Sequence, residues 1–239
     1  MRLCGLACLV CTLLPAPAFA CRLALLLALD VSASIDDREY ALQSNGLAAA
    51  ILSPDVSRAF LQSPDPVALS VFEWSGQRNQ HIVVNWRLIE TQSDLLAVAQ
   101  QIRQPYRTEK LSPTSLGNAL GFAARHFASA PVCARKTLDV SGDGTNNDGY
   151  PAASAYRAYA FGDVVVNALA IGGAQHLPSL VRYFEIEVIR GAGAFVEIAN
   201  DHEDFERAMR RKLERELAPL AVGKITPRTP RHQRVMANN

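Results

Sequence analysis

Asp30, Ser32 and Ser34 form an Asp-x-Ser-x-Ser triplet directly after the unbroken apolar run from Leu23 to Leu29. Alternate residues of an extended loop point the same way, so a carboxylate and two hydroxyls can face one point where a buried strand ends. Two later segments offer the same kind of atom. Thr114 follows Ser112-Pro113 at the start of a helical pattern, and Asp143 ends a strand-like run between Gly142 and Gly144. Glycine on either side of an acid lets the backbone approach a ligand closely. Asp30, Ser32, Ser34, Thr114 and Asp143 are all hard oxygen donors, with no His or Cys among them. Such a set suits Mg²⁺, or Mn²⁺ in its place, and does not suit zinc.

The elements that must position these residues follow from hydrophobic periodicity. Arg22 to Leu29 reads as a fully buried strand, and Tyr40 to Leu52 as a helix ending before Pro54. Val67 to Trp74 and His81 to Ile89 read as strands joined by the short polar connection Ser75 to Asn79, a hairpin. Ser93 is expected to cap a helix over 94–103, and Thr114 or Ser115 one over 116–127. Lys136 to Val140 and Val164 to Ile171 are strand-like; 152–159 and 177–183 are helical. A strand over 194–199 and an amphipathic helix over 203–217 close the pattern. Repeated strand–helix alternation predicts an α/β fold with a doubly wound, mostly parallel sheet, one antiparallel edge strand and helices on both faces. In such a sheet ligands bind beyond the carboxyl ends of the strands, where the loop after the first strand places Asp30.

The first twenty residues read separately. Arg2, an apolar stretch from Leu3 to Leu14 and the ending Ala18-Phe19-Ala20 make a secretory signal, too short to span a membrane as a mature helix. The expected organisation is a signal over 1–20, one domain over 21–221, and a basic, disordered tail over 222–239. The exported product is expected in the periplasm or medium, with no transmembrane span. Removing the signal takes Arg2 and no acid, leaving 23 basic and 23 acidic residues, so nothing in the overall charge favours nucleic acid.

Three of the five cysteines leave with the signal, and Cys21 and Cys133 remain. Two cysteines in an exported chain suggest one disulfide. Cys21 stands nine residues before Asp30 and Cys133 ten before Asp143, so parallel neighbouring strands would bring both level at their N-terminal ends. Lipidation of Cys21 is the competing reading; Ala18-Phe19-Ala20 fits that signal poorly, and lipidation would leave Cys133 alone.

Together, Asp30-x-Ser32-x-Ser34, Thr114 and Asp143-Gly144 resemble the metal-ion-dependent adhesion site of von Willebrand factor A-type domains, and the order of elements resembles that fold over nearly the whole mature chain. Leu29-Asp30-Val31-Ser32, Phe72-Glu73-Trp74-Ser75-Gly76, Asp139 to Gly144 and Gly191 to Val196 further resemble an uncharacterised family of exported bacterial proteins of this fold. The resemblance implies that Ser32 and Ser34 bind the ion directly, Thr114 directly or through water, and Asp30 and Asp143 mainly through ordered waters. It also implies an open position on the metal that a carboxylate of a protein partner completes. Ala33 stands where Gly is usual, and Ser141-Gly142 where Thr is usual before the acid.

Neighbouring residues have plainer readings beside functional ones. Asp36 and Asp37 suit a helix N-terminus. Asn146 and Asn147 are turn formers or a second layer around the ion, with Gly144 beside them. Glu73 and Trp74 are either packing or a rim that selects the partner. His126 reads as a core or boundary residue, and the histidines show no metal-ligand spacing. Enzymatic phosphoryl transfer or hydrolysis on the ion is the alternative, as is a structural domain with a vestigial site. There is no Asp-x-Asp nucleophile, Gly-rich phosphate loop or Ser-x-x-Lys pair, so a binding module, not an enzyme, is expected.

Overall fold

The structure, a computed structural model, describes residues 20–104 and 112–218. The expected signal, apart from Ala20, and the expected tail lie outside the described residues.

Six strands form one sheet: β1 (Leu23–Asp30), β2 (Val67–Trp74), β3 (Gln80–Ile89), β4 (Lys136–Gly142), β5 (Val165–Ile171) and β6 (Val196–Ala199). Their order is β3-β2-β1-β4-β5-β6. Every neighbouring pair is parallel except β2 and β3, the hairpin. β1 lies in the middle and is buried along its whole length, which is why its sequence is apolar without alternation. Its side chains still divide by parity. Leu23, Leu25, Leu27 and Leu29 join one core, and Ala24, Leu26 and Ala28 join the other.

The first core lies under α1 (Asp37–Leu52), α2 (Pro54–Leu61), α3 (Gln92–Ile102) and α7 (Phe205–Leu217). The second lies under α4 (Leu116–His126), α5 (Ala152–Ala158) and α6 (Leu177–Tyr183). Two helix boundaries differ from the sequence expectation. Pro54 does not merely stop α1: it is the first residue of α2, where its missing N–H costs nothing. The cap of α3 is Thr91, not Ser93, because Thr91 and Asp94 satisfy each other's backbone N–H in a capping box. β6 starts at Val196, two residues later than expected, because Gly191 and Gly193 hold φ of 98° and 77° in the turn before it.

At the N-terminal ends of β1 and β4, Cys21 pairs with Cys133 as a parallel bridge, and the two form a disulfide with Cα atoms 4.5 Å apart. The level placement expected from counting back from Asp30 and Asp143 is therefore met. Among the described residues no helix is long and apolar enough to cross a membrane.

Candidate metal centre

Because β4 pairs directly with β1, and Leu29 faces Ser141 in the register, Asp30 and Asp143 emerge side by side at the C-terminal edge. A Cβ on Gly142 would stand 3.2 Å from Asp30 Oδ2, so a small residue is what lets the two loops close together. Asp30 is wholly buried, and its Oδ1 accepts the backbone N–H of Ser32 at 2.8 Å, which folds the triplet back on itself. Four side-chain oxygens then follow one another. Ser34 Oγ donates to Asp143 Oδ1 at 2.8 Å, Ser32 and Ser34 Oγ are 3.2 Å apart, and Thr114 Oγ1 donates to Ser32 Oγ at 3.1 Å. The five sequence-selected donors are thus brought together from three loops.

Residues around them hold this geometry. Thr114 N–H donates to Asn147 Oδ1 at 2.9 Å, and Gly117 N–H donates to Asn146 Oδ1 at 3.2 Å. The two asparagines therefore clamp the N-terminal turn of α4, and with it Thr114, to the loop after Asp143. A Cβ at Gly144 would meet Thr114 Oγ1 at an ordinary 3.7 Å, so sterics there do not demand glycine. Ala33 N–H donates to the Ser112 carbonyl and Ser115 N–H to the Ser75 carbonyl, tying the triplet, the α4 loop and the β2–β3 hairpin together.

Glu73 and Trp74 do not form a rim. Trp74 is wholly buried in the second core, and Glu73 is 5% exposed with its Oε1 accepting from Tyr40 Oη at 2.8 Å. Position at a strand end told nothing about which way either side chain turns. Sequence reading also missed Tyr40, and Gln43, whose Nε2 donates to the Asp30 carbonyl at 3.3 Å. Both sit on α1 at helical spacing among apolar positions, and only the register of α1 against β1 reveals them. Asp36, by contrast, is the N-cap of α1, in a capping box with Glu39.

Burial pushes the Asp143 carboxyl above its ordinary pKa, against the donated hydrogen bond from Ser34; His202 favours its charge and Glu39 opposes it. His202 Nδ1 in turn lies 3.2 Å from Glu39 Oε1. Hydroxyl and carboxylate oxygens are the type of donor a hard divalent cation takes. In a regular octahedron with metal–oxygen bonds of about 2.1 Å, adjacent ligand oxygens lie about 3.0 Å apart, and the successive spacings here are 2.8, 3.2 and 3.1 Å. The donors are three hydroxyls and two carboxylates; among the described residues no three His, Cys, Asp or Glu gather as a metal cluster.

Two other polar groupings lie inside the molecule. Asp139, four residues before Asp143, is answered by Lys212 of α7, with Nζ at 2.9 Å from Oδ1. Lys212 also pairs with Glu216 at 2.6 Å, and Asn167 Nδ2 donates to the same Glu216 oxygen at 2.7 Å. Burial raises the Asp139 pKa to about 7, Lys212 opposing and Glu216 adding to the rise. On the other face Ser70 Oγ lies 2.9 Å from His126 Nε2, a spacing met in nucleophile–base pairs. Its proton, however, goes to the Val84 carbonyl at 2.7 Å, and His126 is stacked beside Trp86, with burial lowering its pKa. Ser70 and His126 are thus a packed core pair, in keeping with the reading of His126 as core.

A doubly wound sheet of this order is the fold of von Willebrand factor A-type domains, and here a hydroxyl and carboxylate cluster lies beyond its central strands. The chain belongs to the family described as "Protein of unknown function (DUF1194)", whose model matches residues 20–221. No curated protein matches the sequence. Solved structures do. A von Willebrand factor type A protein from Catenulispora acidiphila aligns with TM-score 0.59 at 17% identity, over 82% of this chain and 43% of its own. Proximal thread matrix protein 1 from the mussel byssus, solved "with zinc occupied MIDAS motif", aligns with TM-score 0.56 at 16% identity, over 84% and 49%. The pilus adhesin SpaC from Lactobacillus rhamnosus GG aligns with TM-score 0.59 at 11% identity, over 82% and 31%. This chain spans less than half the length of each.

Proposed function

We propose that this protein is an exported binding module that holds a divalent cation, Mg²⁺ or Mn²⁺, at Asp30, Ser32, Ser34, Thr114 and Asp143, and uses it to bind an acidic group of a protein partner. One observation carries the reading: the unbroken run of oxygens from Asp143 through Ser34 and Ser32 to Thr114, brought into contact from three loops at one edge of the sheet. The zinc-occupied MIDAS of the byssus protein and the adhesin role of the pilus protein support it by likeness of fold. A bound cation supplies an electrophilic position that a partner carboxylate can fill. The chain's own residues do the rest: Asn146 and Asn147 fix Thr114, and Ser34 holds the Asp143 carboxylate in place. No bond is made or broken, and the module is not an enzyme. Export agrees with the Cys21–Cys133 disulfide, since such bonds persist in oxidising compartments.

Thermal unfolding tests this. A cation at a hundredfold excess over its Kd stabilises by about 2.7 kcal/mol, roughly 5–10 °C in a chain of this size. That rise should appear with Mg²⁺ or Mn²⁺, vanish with EDTA, and be absent in Asp30→Ala and Asp143→Ala. Identical melting with metal and with EDTA overturns the proposal, and metal-dependent turnover of generic phosphoesters favours the enzymatic alternative.

A further inference from the structure

α1 turns one stripe inward, and Tyr40, Gln43, Ser44, Leu47 and Ile51 lie on it at helical spacing. Leu47 and Ile51 join the first core with Leu29 of β1. Packing alone favours an apolar side chain at each inward position, yet three of these are polar. Two have their side-chain groups satisfied: Tyr40 Oη donates to Glu73 Oε1 at 2.8 Å, and Ser44 Oγ donates to the Tyr40 carbonyl at 3.0 Å. Gln43 differs. It is 2% exposed, its Nε2 donates to the Asp30 carbonyl at 3.3 Å, and its buried Oε1 accepts from nothing among the described residues. A buried amide oxygen left without a donor destabilises the folded state.

The bond that Gln43 does make reaches the residue that opens the oxygen triplet. Residues 31–42, which carry Ser32, Ser34 and the N-cap Asp36, lie between its two ends. The same segment is held at its other side by Ser32 N–H on Asp30 Oδ1 and by Ala33 N–H on the Ser112 carbonyl, each at 2.8 Å. Gln43 and Tyr40, one turn apart on α1, thus fasten the C-terminal ends of β1 and β2. Tyr40 reaches Glu73, which adds no oxygen to the run, whereas Gln43 reaches Asp30, which is one of its donors. Because the peptide unit is planar, holding the Asp30 carbonyl also fixes the plane through which the strand turns into the triplet.

We propose that Gln43 is a positioning residue of the cation site: through the Asp30 carbonyl it sets the angle at which the triplet leaves β1, and its unpartnered oxygen is a cost in stability carried for that placement. The inference rests on the metal-binding reading above. Mg²⁺ demands near-ideal ligand geometry, and residues that hold the ligands of a metal commonly change its affinity by about ten- to a hundredfold when replaced.

The test separates metal affinity from stability in two variants. Gln43→Met removes both polar amide atoms at similar length. Its Mn²⁺ dissociation constant, read from the EPR signal of free Mn²⁺ well below the melting temperature, should rise about tenfold or more. Its melting temperature in EDTA should stay at or above that of the wild type. Tyr40→Phe should do the reverse, melting lower in EDTA with Mn²⁺ affinity unchanged. Lower melting of Gln43→Met in EDTA with unaltered Mn²⁺ affinity is what a purely structural role predicts, and it overturns the proposal. Equal loss of affinity in Tyr40→Phe overturns it too, because the effect then belongs to α1 as a whole. If the wild-type protein takes up no Mn²⁺, the metal-binding reading falls and this inference with it; equally tight uptake by the wild type and by Gln43→Met removes this inference alone. Failure of Gln43→Met to fold leaves the decision to the wild type, in which Mg²⁺ should shift the side-chain amide signals of Gln43 in the NMR spectrum. Signals unmoved at saturating Mg²⁺ overturn the proposal.

Discussion

Asp139 lies in the middle of β4 and Asp143 just past its end, four residues on, and burial pushes both carboxyls above their ordinary pKa. The protein answers them differently. Asp139 meets an ammonium built into the fold, Lys212, wholly buried and 2.9 Å away. Asp143 meets a hydroxyl, and the charges acting on it are His202 and Glu39. A carboxylate satisfied internally is a structural part. One surrounded by oxygens, and placed at a sheet edge where ligands bind, is suited to a cation from solution.

The sharpest way to break the comparison is to remove the internal cation. Lys212→Met leaves Asp139 and Glu216 buried without their partner and should cost about 3–5 kcal/mol, roughly 6–20 °C in melting temperature, with no rescue by Mg²⁺. Next in size is the exchange of each acid for its amide. Asp143→Asn should leave melting in EDTA nearly unchanged and lose the metal-induced gain of about 2.7 kcal/mol, whereas Asp139→Asn should keep that gain. A metal-induced rise that survives Asp143→Asn would erase the distinction.

The gentlest test is pH. The folded protein holds the Asp139 proton up to about pH 7, and the unfolded chain releases it near the ordinary value of 3.8. The stability from this group is therefore complete below about pH 4 and is lost as pH rises to about 7. Denaturant titrations across that window should show stability falling with pH, and a shallower fall in Asp139→Asn. An unaltered slope in that variant would remove Asp139 as its source.

What the sequence made legible was whatever leaves a local pattern. Apolar runs marked β1 and, broken only by Asn167, β5; a short polar connection marked the hairpin, and the Asp-x-Ser-x-Ser spacing marked three donors. Thr114 and Asp143 were found because each begins or ends an element. Features resting on the register of one element against another were not legible. Lys212 lies in a helix rich in arginine and glutamate, where a lysine reads as part of the wet face, and its partner Asp139 is far off in sequence. Trp74 and Glu73 stayed open between packing and a rim for the same reason, since a strand end does not say which layer covers it. α2 was hidden because proline serves equally to end one helix and to begin the next.

The burial of Lys212 has a mechanical consequence. A slide of α7 along its axis by one turn, about 5.4 Å, would draw the ammonium off Asp139 and leave that carboxylate buried without its partner. Glu216, one turn later on the same helix, would leave Asn167 in the same movement. α7 is therefore keyed to the sheet in one axial position, like a bolt with its pin in place. Any travel of this helix would carry the cost of breaking that contact.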